Sequence, residues 1–289
     1  MKLALFGRDI SQANHNKLKD LFNSIKKFKE VIDIYYYSNF YESIKKSNIT
    51  LPNGEIFHDY RDLPNDITLF LSLGGDGTFL ESLTLIRGRN IPVAGVNFGR
   101  LGFLTTPFDD INKLLNLDFL IEQRTLLKFT SEFMPENFYP YALNEITIQR
   151  KDPTMLEINV TIDGISLPKY IADGILIATA TGSTAYSLSV GGPLALPNSK
   201  VLIISPIAPH NLNVRPLIIP ETSNIKISFT GRNDTALLTA DNRYFNIPKE
   251  TLINISKGEN PLNCASVNNN FIAALNEKLL WGEDKRNKS

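Results

Sequence analysis

The hydrophobic periodicity of the chain changes near residue 125, and this change constrains the fold more than any other feature. Up to that point, short apolar runs at residues 3–6 and 67–73 alternate with segments whose apolar residues recur at helical spacing. Strands separated by helices predict βαβ units and a parallel sheet. Beyond that point, residues 156–163 alternate apolar and polar side chains, which is typical of strands with one buried face. The sequence therefore predicts two domains of different class.

The first domain is predicted over residues 1–124 as a Rossmann-like α/β domain with a parallel sheet. Its expected strands lie at residues 3–6, 31–37, 67–73 and 91–96, and its expected helices at 18–28, 79–86 and 109–122. The segment 38–66 shows little periodicity, so we expect it to form a loop.

The second domain is predicted over residues 125–264 as an all-β domain resembling a sandwich or barrel, because many short strands with turns between them are typical of these folds. Asp163-Gly164 between two apolar residues is a strong hairpin signal. In 265–289, Phe271, Leu275 and Leu279 return to helical spacing. We expect a C-terminal helix there, packed on either domain, with a return to the first domain as one of the two arrangements.

The charge balance limits the partners. The chain has 289 residues, with 30 Lys and Arg against 30 Asp and Glu, so its formal net charge is zero. Broad binding to nucleic acid or to a membrane surface requires an excess of one sign of charge. We therefore expect neither partner, although a local pocket can still hold a small ligand that carries phosphate.

Cysteine and histidine usage bears on the compartment and on metals. Cys264 is the single cysteine, so no internal disulfide forms, which fits a reducing compartment and predicts a cytoplasmic location. His15, His58 and His210 lie far apart and form no metal-ligand spacing. We expect no metal held by protein side chains.

The strongest local motif is Leu73-Gly74-Gly75-Asp76-Gly77-Thr78, between an apolar run and a helical pattern. Glycines let the backbone approach a ligand closely, and the first N–H groups of a helix bind phosphate oxygens. Asp76 at the tip is placed to accept a proton from a hydroxyl nucleophile. The alternative is a plain turn in which Asp76 caps the helix.

A second motif is rich in small and hydroxylic residues. Asp173-Gly174 is followed at residues 181–193 by Thr-Gly-Ser-Thr-Ala-Tyr-Ser-Leu-Ser-Val-Gly-Gly-Pro. These residues offer many hydrogen-bonding groups, and Tyr186 offers an aromatic face for a flat ligand. On composition alone, a surface loop rich in serine and glycine is an equally good interpretation.

The literal strings add a resemblance. Gly-Gly-Asp-Gly-Thr resembles the shared motif of a kinase superfamily that contains NAD kinases and diacylglycerol-type lipid kinases, and Thr-Gly-Ser-Thr-Ala-Tyr-Ser resembles the NAD kinase signature. Asn144-Glu145 and the segments 95–104 and 205–217 resemble further parts of that family, in the same order. The chain is identified as similar to the bacterial NAD kinases.

The resemblance implies an activity and a site. NAD kinases transfer the γ-phosphate of ATP, with Mg²⁺, to the 2′-hydroxyl of the adenosine ribose of NAD, giving NADP. Asp76 then corresponds to the proton acceptor, Gly77 lies against the same ribose, Glu145 binds ribose hydroxyls, Asn144 binds the adenine, and Asp173 holds the nicotinamide end. Further residues are implied to enclose the dinucleotide: Thr181, Thr184, Ala185, Tyr186, Ser187, Leu188, Ser189 and, at the nicotinamide, Ala208. A homo-oligomer, dimer or tetramer, is also implied.

Several positions depart from the common family pattern or have two interpretations. Glu81 and Ile171 stand where many members have a basic residue, and Arg243 stands where Gln is frequent. Arg243 either restores positive charge to the site or is a solvated surface residue. His210 is either structural or a phosphate contact, and Arg100 either approaches ATP phosphates or fixes its loop.

The sequence leaves three hypotheses of function open. The first is an NAD kinase, which leaves NAD or NADH as acceptor and ATP or polyphosphate as donor. The second is a lipid kinase sharing the Gly-Gly-Asp-Gly-Thr loop, but residues 181–193 and the lack of a basic amphipathic helix argue against it. The third is a sensor that binds NAD or NADP without catalysis, against which the intact Asp76 argues.

Overall fold

The computed structural model describes residues 1–8, 11–28, 32–99, 102–267 and 271–279. Its contacts divide the chain into two compact units, one formed by Met1–Glu122 and Asn263–Ser289 and the other by Gln123–Leu262. In the described part of the chain, no helix is long and apolar enough to cross a membrane.

The first unit contains strands that alternate with helices. The strands are β1 (Lys2–Gly7), β2 (Asp33–Tyr37), β3 (Glu55–Phe57), β4 (Leu69–Leu73), β5 (Val93–Asn97), β6 (Thr105–Pro107) and β7 (Leu120–Arg124). The helices are α1 (His15–Lys27), α2 (Ser38–Lys46), α3 (Asp76–Ile86) and α4 (Ile111–Leu115), with 3-10 turns at Gln12–Asn14 and Phe108–Asp110.

The second unit consists mainly of strands. They are β8 (Leu127–Thr130), β9 (Tyr141–Ala142), β10 (Glu145–Gln149), β11 (Leu156–Ile162), β12 (Ile165–Ser166), β13 (Tyr170–Ala172), β14 (Gly174–Thr179), β15 (Val201–Ile207), β16 (Leu217–Pro220), β17 (Ile225–Thr230), β18 (Thr235–Ala240), β19 (Arg243–Pro248) and β20 (Ile253–Lys257). Between β14 and β15, a 3-10 turn at Thr181–Thr184 leads into α5 (Tyr186–Ser189). After β20, the chain returns to the first unit with β21 (Leu262–Ser266) and α6 (Phe271–Leu279).

The sheet of the first unit has the order β3-β2-β1-β4-β5-β21-β7, with β6 paired to β5. Its pairings from β3 to β5 are parallel, which confirms the predicted α/β class. On one face, Leu3 and Leu5 of β1 share a core with Leu21 of α1 and Phe40 of α2. The central strands β1, β4 and β5 are buried over nearly their whole length, so their sequences are nearly continuous apolar runs, as is typical of strands covered on both faces.

The second unit holds two antiparallel sheets. One has the order β16-β15-β14-β10-β18-β19, and the other the order β12-β11-β17-β20-β8-β9, with β13 paired to β11. A single core joins inward side chains of both sheets, such as Ile146 and Ile177 from one and Ile158 and Ile227 from the other. This sandwich confirms the predicted all-β class. Asp163 and Gly164 have φ of 49° and 86°, the left-handed pair that a two-residue hairpin turn requires.

Two predictions about the first unit were wrong. The helix expected at 109–122 is only the short α4, and the chain continues into strand β7. Leu117 has a left-handed φ of 57°, and Leu120 is 72% exposed while Leu114 is buried, so these leucines do not share one helical face.

The segment 38–66 is also not a continuous loop, since it contains α2 and β3. Phe40 and Ile44, four residues apart, bury the same face of α2. A stripe of only two apolar residues gave too weak a periodic signal to be distinguished from a loop.

Candidate functional site

The glycine-rich turn after β4 forms a close backbone junction. Gly74 donates its N–H to the Val96 carbonyl at 2.9 Å, and a Cβ atom added to Gly74 would lie 2.5 Å from Oγ1 of Thr78. A Cβ atom at Gly75 or Gly77 would meet no atom of the described residues within 4 Å. The backbone at Gly75 and Gly77 therefore faces open space, as the prediction of close ligand approach requires.

Asp76 is the first residue of α3, and its carboxylate is held by the loop before β6. Its Oδ2 accepts the Phe103 N–H at 2.8 Å and its Oδ1 accepts the Leu104 N–H at 3.1 Å. Nζ of Lys278, on α6, lies 3.5 Å from Oδ2. A Cβ atom on Gly102 would fall 1.8 Å from Oδ1 of Asp76. The side chain keeps 30% exposure, so it is oriented by fixed donors and still reaches solvent.

Glu81 lies on α3 and forms an ion pair with Arg8, which follows β1. Nε of Arg8 donates to the Glu81 carboxylate at 2.8 Å, and a second guanidinium nitrogen contacts the other carboxylate oxygen. Hydrogen bonding and the charge of Glu81 raise the pKa of Arg8. The acidic side chain at position 81 is therefore paired with a cation from another element of the same unit.

In the second unit, Asn144 and Glu145 meet the buried Asp241, which begins the turn between β18 and β19. The Asp241 carboxylate accepts the N–H groups of Leu143, Asn144 and Glu145 at 2.9, 2.8 and 3.3 Å. Asp241 has a left-handed φ of 51°. Burial raises its pKa, while Arg243 and these donors oppose the rise. Asp241 was not predicted as a site residue, because its sequence context is that of an ordinary turn.

Glu145 is only 8% exposed, and the pKa of its carboxyl group is strongly shifted. Burial first, and the charge of Asp241 second, raise its pKa to about 8, against an opposing backbone hydrogen bond from Tyr186. Its Oε2 is buried and has no hydrogen-bond partner among the described residues. A buried oxygen without a hydrogen-bond partner lowers the stability of the fold, and a ligand hydroxyl group could donate the missing hydrogen bond.

The hydroxylic segment packs directly against Asn144. Asn144 O accepts the Thr179 N–H at 2.9 Å, and a Cβ atom on Gly182 would lie only 2.1 Å from that oxygen. Within the described ranges, Oγ1 of Thr181 and Oγ of Ser187 are buried without a partner. Thr184, Ala185, Tyr186 and Leu188 are half-buried, and Ser189 is exposed. The fold therefore brings the predicted segment to the Asn144-Glu145 pair.

Asp173 is fixed by Arg150, which sequence reasoning missed. Nε of Arg150 lies 2.8 Å from Oδ1 of Asp173, and Nη2 donates to Oδ2 at 2.9 Å. This two-point contact sets the plane of the carboxylate. Burial, with Glu145 and Asp173 adding to it, raises the pKa of Tyr186, so these three groups form one acidic region.

The loop after β15 is anchored by the backbone of Ile171. The Ile171 N–H donates to Oδ1 of Asn211 at 2.8 Å, and its carbonyl accepts the His210 N–H at 2.7 Å. Ala208 is exposed, with a left-handed φ of 45°. Ile171 therefore anchors this loop through its backbone and not through its side chain. Ala208, which was predicted to line the nicotinamide pocket, has a strained backbone conformation.

Arg243 is not a solvated surface residue. Its Nη1 donates to the Tyr139 carbonyl at 2.6 Å, Nη2 donates to the Tyr141 carbonyl, and only 18% of its side chain is exposed. Its Nη2 lies 3.7 Å from Oδ2 of Asp241. The guanidinium thus supports the backbone beside Asp241. Arg100 lies outside the described residues.

Residues 1–8, 11–28, 32–99, 102–267 and 271–279 hold no group of three or more His, Cys, Asp or Glu side chains that could bind a metal ion.

Two family models match the chain: the ATP-NAD kinase N-terminal domain over residues 10–120 and the ATP-NAD kinase C-terminal domain over residues 143–267. The NAD kinase of Flavobacterium psychrophilum is 37% identical over 296 residues, which cover 99% of this chain and 100% of that protein. The NAD kinase of Flavobacterium johnsoniae is 38% identical over 301 residues, with the same coverage of 99% and 100%.

Solved structures share the fold. The yeast NADH kinase complexed with NADH superposes with a TM-score of 0.88 at 23% identity, covering 100% of this chain and 90% of that chain. An NAD kinase from Archaeoglobus fulgidus in complex with ATP gives a TM-score of 0.71 at 22% identity, covering 96% and 98%. With both halves matched by the family models and full-length relatives above 30% identity, the chain belongs to the NAD kinase family of kinases.

Proposed function

We propose that this chain transfers the γ-phosphoryl group of ATP to the 2′-hydroxyl of the adenosine ribose of NAD. The hydroxyl oxygen forms a bond to the γ-phosphorus, the bond from that phosphorus to the bridging oxygen of ADP breaks, and Asp76 takes the hydroxyl proton. The products are NADP and ADP. The observation that carries the proposal is the orientation of the Asp76 carboxylate by the Phe103 and Leu104 N–H groups beside the open backbone of Gly75 and Gly77.

The proposed role of Asp76 depends on its position. An ordinary carboxyl group is a weak base near neutral pH, so alignment with the hydroxyl must supply most of the rate. Two backbone donors and the tight fit of Gly102 restrict the rotation of the carboxylate. That restriction is what a positioned proton acceptor needs.

Phosphate charge is proposed to be neutralised by Mg²⁺ carried on ATP and by backbone N–H groups. Mg²⁺ commonly binds through substrate phosphates and retained waters, with few protein ligands, which suits a chain whose described residues hold no cluster of metal-binding side chains. When bound, the ion would reduce the repulsion between phosphate oxygens. Gly77 and the start of α3 supply donors for the same charge.

The second unit is proposed to bind the dinucleotide. Oε2 of Glu145, Oγ1 of Thr181 and Oγ of Ser187 are buried and unpaired within the described residues, so ribose or amide groups of a ligand would complete their hydrogen bonds. Asn144 is proposed at the adenine, Asp173 and Ala208 at the nicotinamide end, and Thr184, Ala185, Tyr186, Leu188 and Ser189 around the ligand.

Domain roles, location and assembly complete the proposal. We propose that residues 1–124 form the catalytic-loop domain, 125–264 the dinucleotide-binding domain, and 265–289 a helix and tail. The single cysteine, Cys264, supports a reducing cytoplasmic location. A homo-oligomer, dimer or tetramer, is proposed from family membership and is checked by light scattering of the purified protein.

A coupled assay for NADP formation tests the activity. The purified chain is supplied with ATP or polyphosphate as donor and with NAD, NADH or diacylglycerol as acceptor. We expect phosphorylation of the dinucleotide in the presence of Mg²⁺ and ATP. Phosphorylation of the lipid alone, or dinucleotide binding without any turnover, would contradict the proposal.

A further inference from the structure

The first unit contains a cavity of about 690 Å³, to which the proposed function assigns no ligand. It is lined by residues at the carboxyl ends of β1 and β2 and by one side of α3, among them Gly7, Arg8, Tyr37, Asn39, Glu81 and Leu85. We call it the β1–α3 cavity. Its volume lies within the roughly 300–1,000 Å³ of small-molecule sites.

The cavity sits where a parallel sheet of this order binds ligands. From β1 the chain moves outward to β2 and β3, and then crosses back to place β4 on the other side of β1. The point where the strand order reverses opens a crevice at the carboxyl ends of the strands. Gly7 ends β1, Tyr37 ends β2, and α3 follows β4, so the cavity borders this crevice.

Its walls suit a flat, partly apolar group. The Tyr37 ring is held by Phe6 and Phe57, with ring centroids 5.1 and 5.6 Å away. Leu85 of α3 is buried and adds an aliphatic wall, while Asn39 at the start of α2 contributes an amide. Aromatic and aliphatic walls with a few polar groups are typical of sites for heterocyclic bases.

The charged groups on the cavity wall suit phosphates. Arg8 uses Nε and Nη2 to contact Glu81, and its Nη1 makes no hydrogen bond to the described part of the chain. The guanidinium has five N–H donors in a fixed plane, so it can contact Glu81 and a phosphate oxygen together. Without Arg8, the Glu81 carboxylate would repel a polyphosphate.

Glu81 also connects the cavity to the reacting end. It follows Asp76 by five residues on α3, which is about 7.5 Å along the axis at a rise of about 1.5 Å per residue. A ligand with its base in the cavity would therefore extend its phosphates along α3 toward the helix N-terminus, where Asp76 and Gly77 lie.

We propose that the β1–α3 cavity binds the base and sugar of the nucleoside triphosphate donor, with Arg8 as a positioning residue for its phosphates. Arg8 then supplies the positive charge that a basic residue at position 81 would otherwise supply. This inference rests on the proposed function, because it assigns the donor of that reaction.

Two variants of the full-length chain test it. Arg8→Gln removes the charge at an exposed residue, and Thr84→Trp fills the cavity beside Leu85. Arg61→Gln is the matched control, since Arg61 forms an exposed ion pair with Asp59 and does not line this cavity. For each protein, calorimetry measures the binding of a non-hydrolysable ATP analogue and of NAD, and the NADP assay gives both KM values.

We expect Arg8→Gln and Thr84→Trp each to weaken analogue binding and raise KM for ATP by at least about tenfold, the scale of one lost charged contact. KM for NAD should stay within about twofold, and Arg61→Gln should match the parent chain. Melting temperatures check that Thr84→Trp folds, and Arg8→Gln carries the test by itself if it does not.

The possible failures are distinguishable. Unchanged analogue binding in Arg8→Gln, together with normal NADP formation, would overturn the cavity assignment and leave the proposed function standing. Weakened NAD binding with unchanged analogue binding would also overturn it and would mark an acceptor or effector site. Cavity-dependent analogue binding without any NADP formation would instead overturn the proposed function and retain the nucleotide site.

Discussion

Asp76 and Glu145 are two carboxylates in opposite environments. Asp76 is partly exposed and held by the Phe103 and Leu104 N–H groups, while Glu145 is buried beside Asp241 with one oxygen unpaired among the described residues. Carboxylates whose surroundings differ in this way commonly carry different roles. We propose proton transfer for the exposed Asp76 and substrate binding for the buried Glu145.

Replacing Asp76 separates these roles. In Asp76→Asn the amide keeps the size of the side chain but cannot take the hydroxyl proton, so we expect turnover to fall at least about a hundredfold while NAD affinity is retained. Asp234→Asn, at an exposed aspartate paired with Lys249, is the control and should keep full turnover. Unchanged turnover in Asp76→Asn would refute the assigned proton acceptor.

Replacing Glu145 tests its electrostatic environment through stability. The pKa of Glu145 is raised from 4.5 to about 8, so the folded chain holds a proton that the unfolded chain releases between these values. Stability is therefore lost as pH rises toward about 8, and the loss is of order 3 kcal/mol between about pH 5.5 and 8.5. Glu145→Gln has no such loss, so its melting temperature should exceed that of the parent chain increasingly with pH.

The matched variant is Glu157→Gln, at an exposed glutamate of β11. Its melting temperature, measured at the same pH values, gives the general effect of replacing a glutamate by glutamine, which is subtracted from the effect in Glu145→Gln. A difference in melting temperature between Glu145→Gln and the parent chain that stays constant with pH would contradict the raised pKa of Glu145.

Residues inside a motif were predictable, and isolated partners were not. Asp76, Asn144 and Glu145 stand in strings whose residue types already indicate a ligand site. Arg150 and Lys278 are single charged residues, far in sequence from Asp173 and Asp76, and only the fold brings each pair together. No local pattern encodes such a contact.

At the scale of elements, the loop between β5 and β6 determines where the Asp76 carboxylate lies. A Cβ atom on Gly102 would fall 1.8 Å from Oδ1 of Asp76 and 2.3 Å from Oγ1 of Thr105. In Gly102→Ala we expect the loop to shift and the hydrogen bonds to Asp76 to be lost, with turnover reduced about tenfold or more. The crystal structure of the variant and its kcat would measure both effects.

Gly99→Ala provides the control in the same loop, because a Cβ atom there would come no closer than 3.7 Å to Asn97. It should retain turnover and melting temperature. Equal turnover in the two alanine variants would show that the fit of Gly102 against Asp76 does not matter for the reaction.

Long periodic elements were predicted and short ones were not. β4 and the start of α3 follow from an apolar run, three glycines and a helical pattern. α2 buries only Phe40 and Ile44, and β7 exposes Leu120, so neither element carries the periodic signal expected of its class. Tertiary packing, together with the left-handed Leu117, decides those structures.

At the scale of the whole molecule, the first unit is built from two separate parts of the chain. β21 lies between β5 and β7 in its sheet, although the complete second unit precedes it in sequence. A chain that ends at residue 261 lacks this interior strand, so we expect loss of cooperative unfolding for the first unit, seen as loss of amide protection in β4 and β5.

A chain that ends at residue 267 keeps β21 and loses α6, and with it Lys278. Its first unit should stay folded, with protection in β4 and β5 near that of the full chain. Full protection in the chain ending at residue 261 would show that β21 is dispensable for the sheet.

The late position of β21 has a consequence for synthesis on the ribosome. The sheet of the first unit cannot be completed until the whole second unit, Gln123–Leu262, has been translated, which takes about 7 to 28 seconds at about 5–20 residues per second. During that interval β6 already pairs with Gly95–Asn97 of β5, but the part of that edge at Val93, which later pairs with β21, has not yet received its partner strand. An open strand edge invites pairing with other chains, so the second unit has this time to fold first while the first unit depends on protection from neighbouring nascent chains.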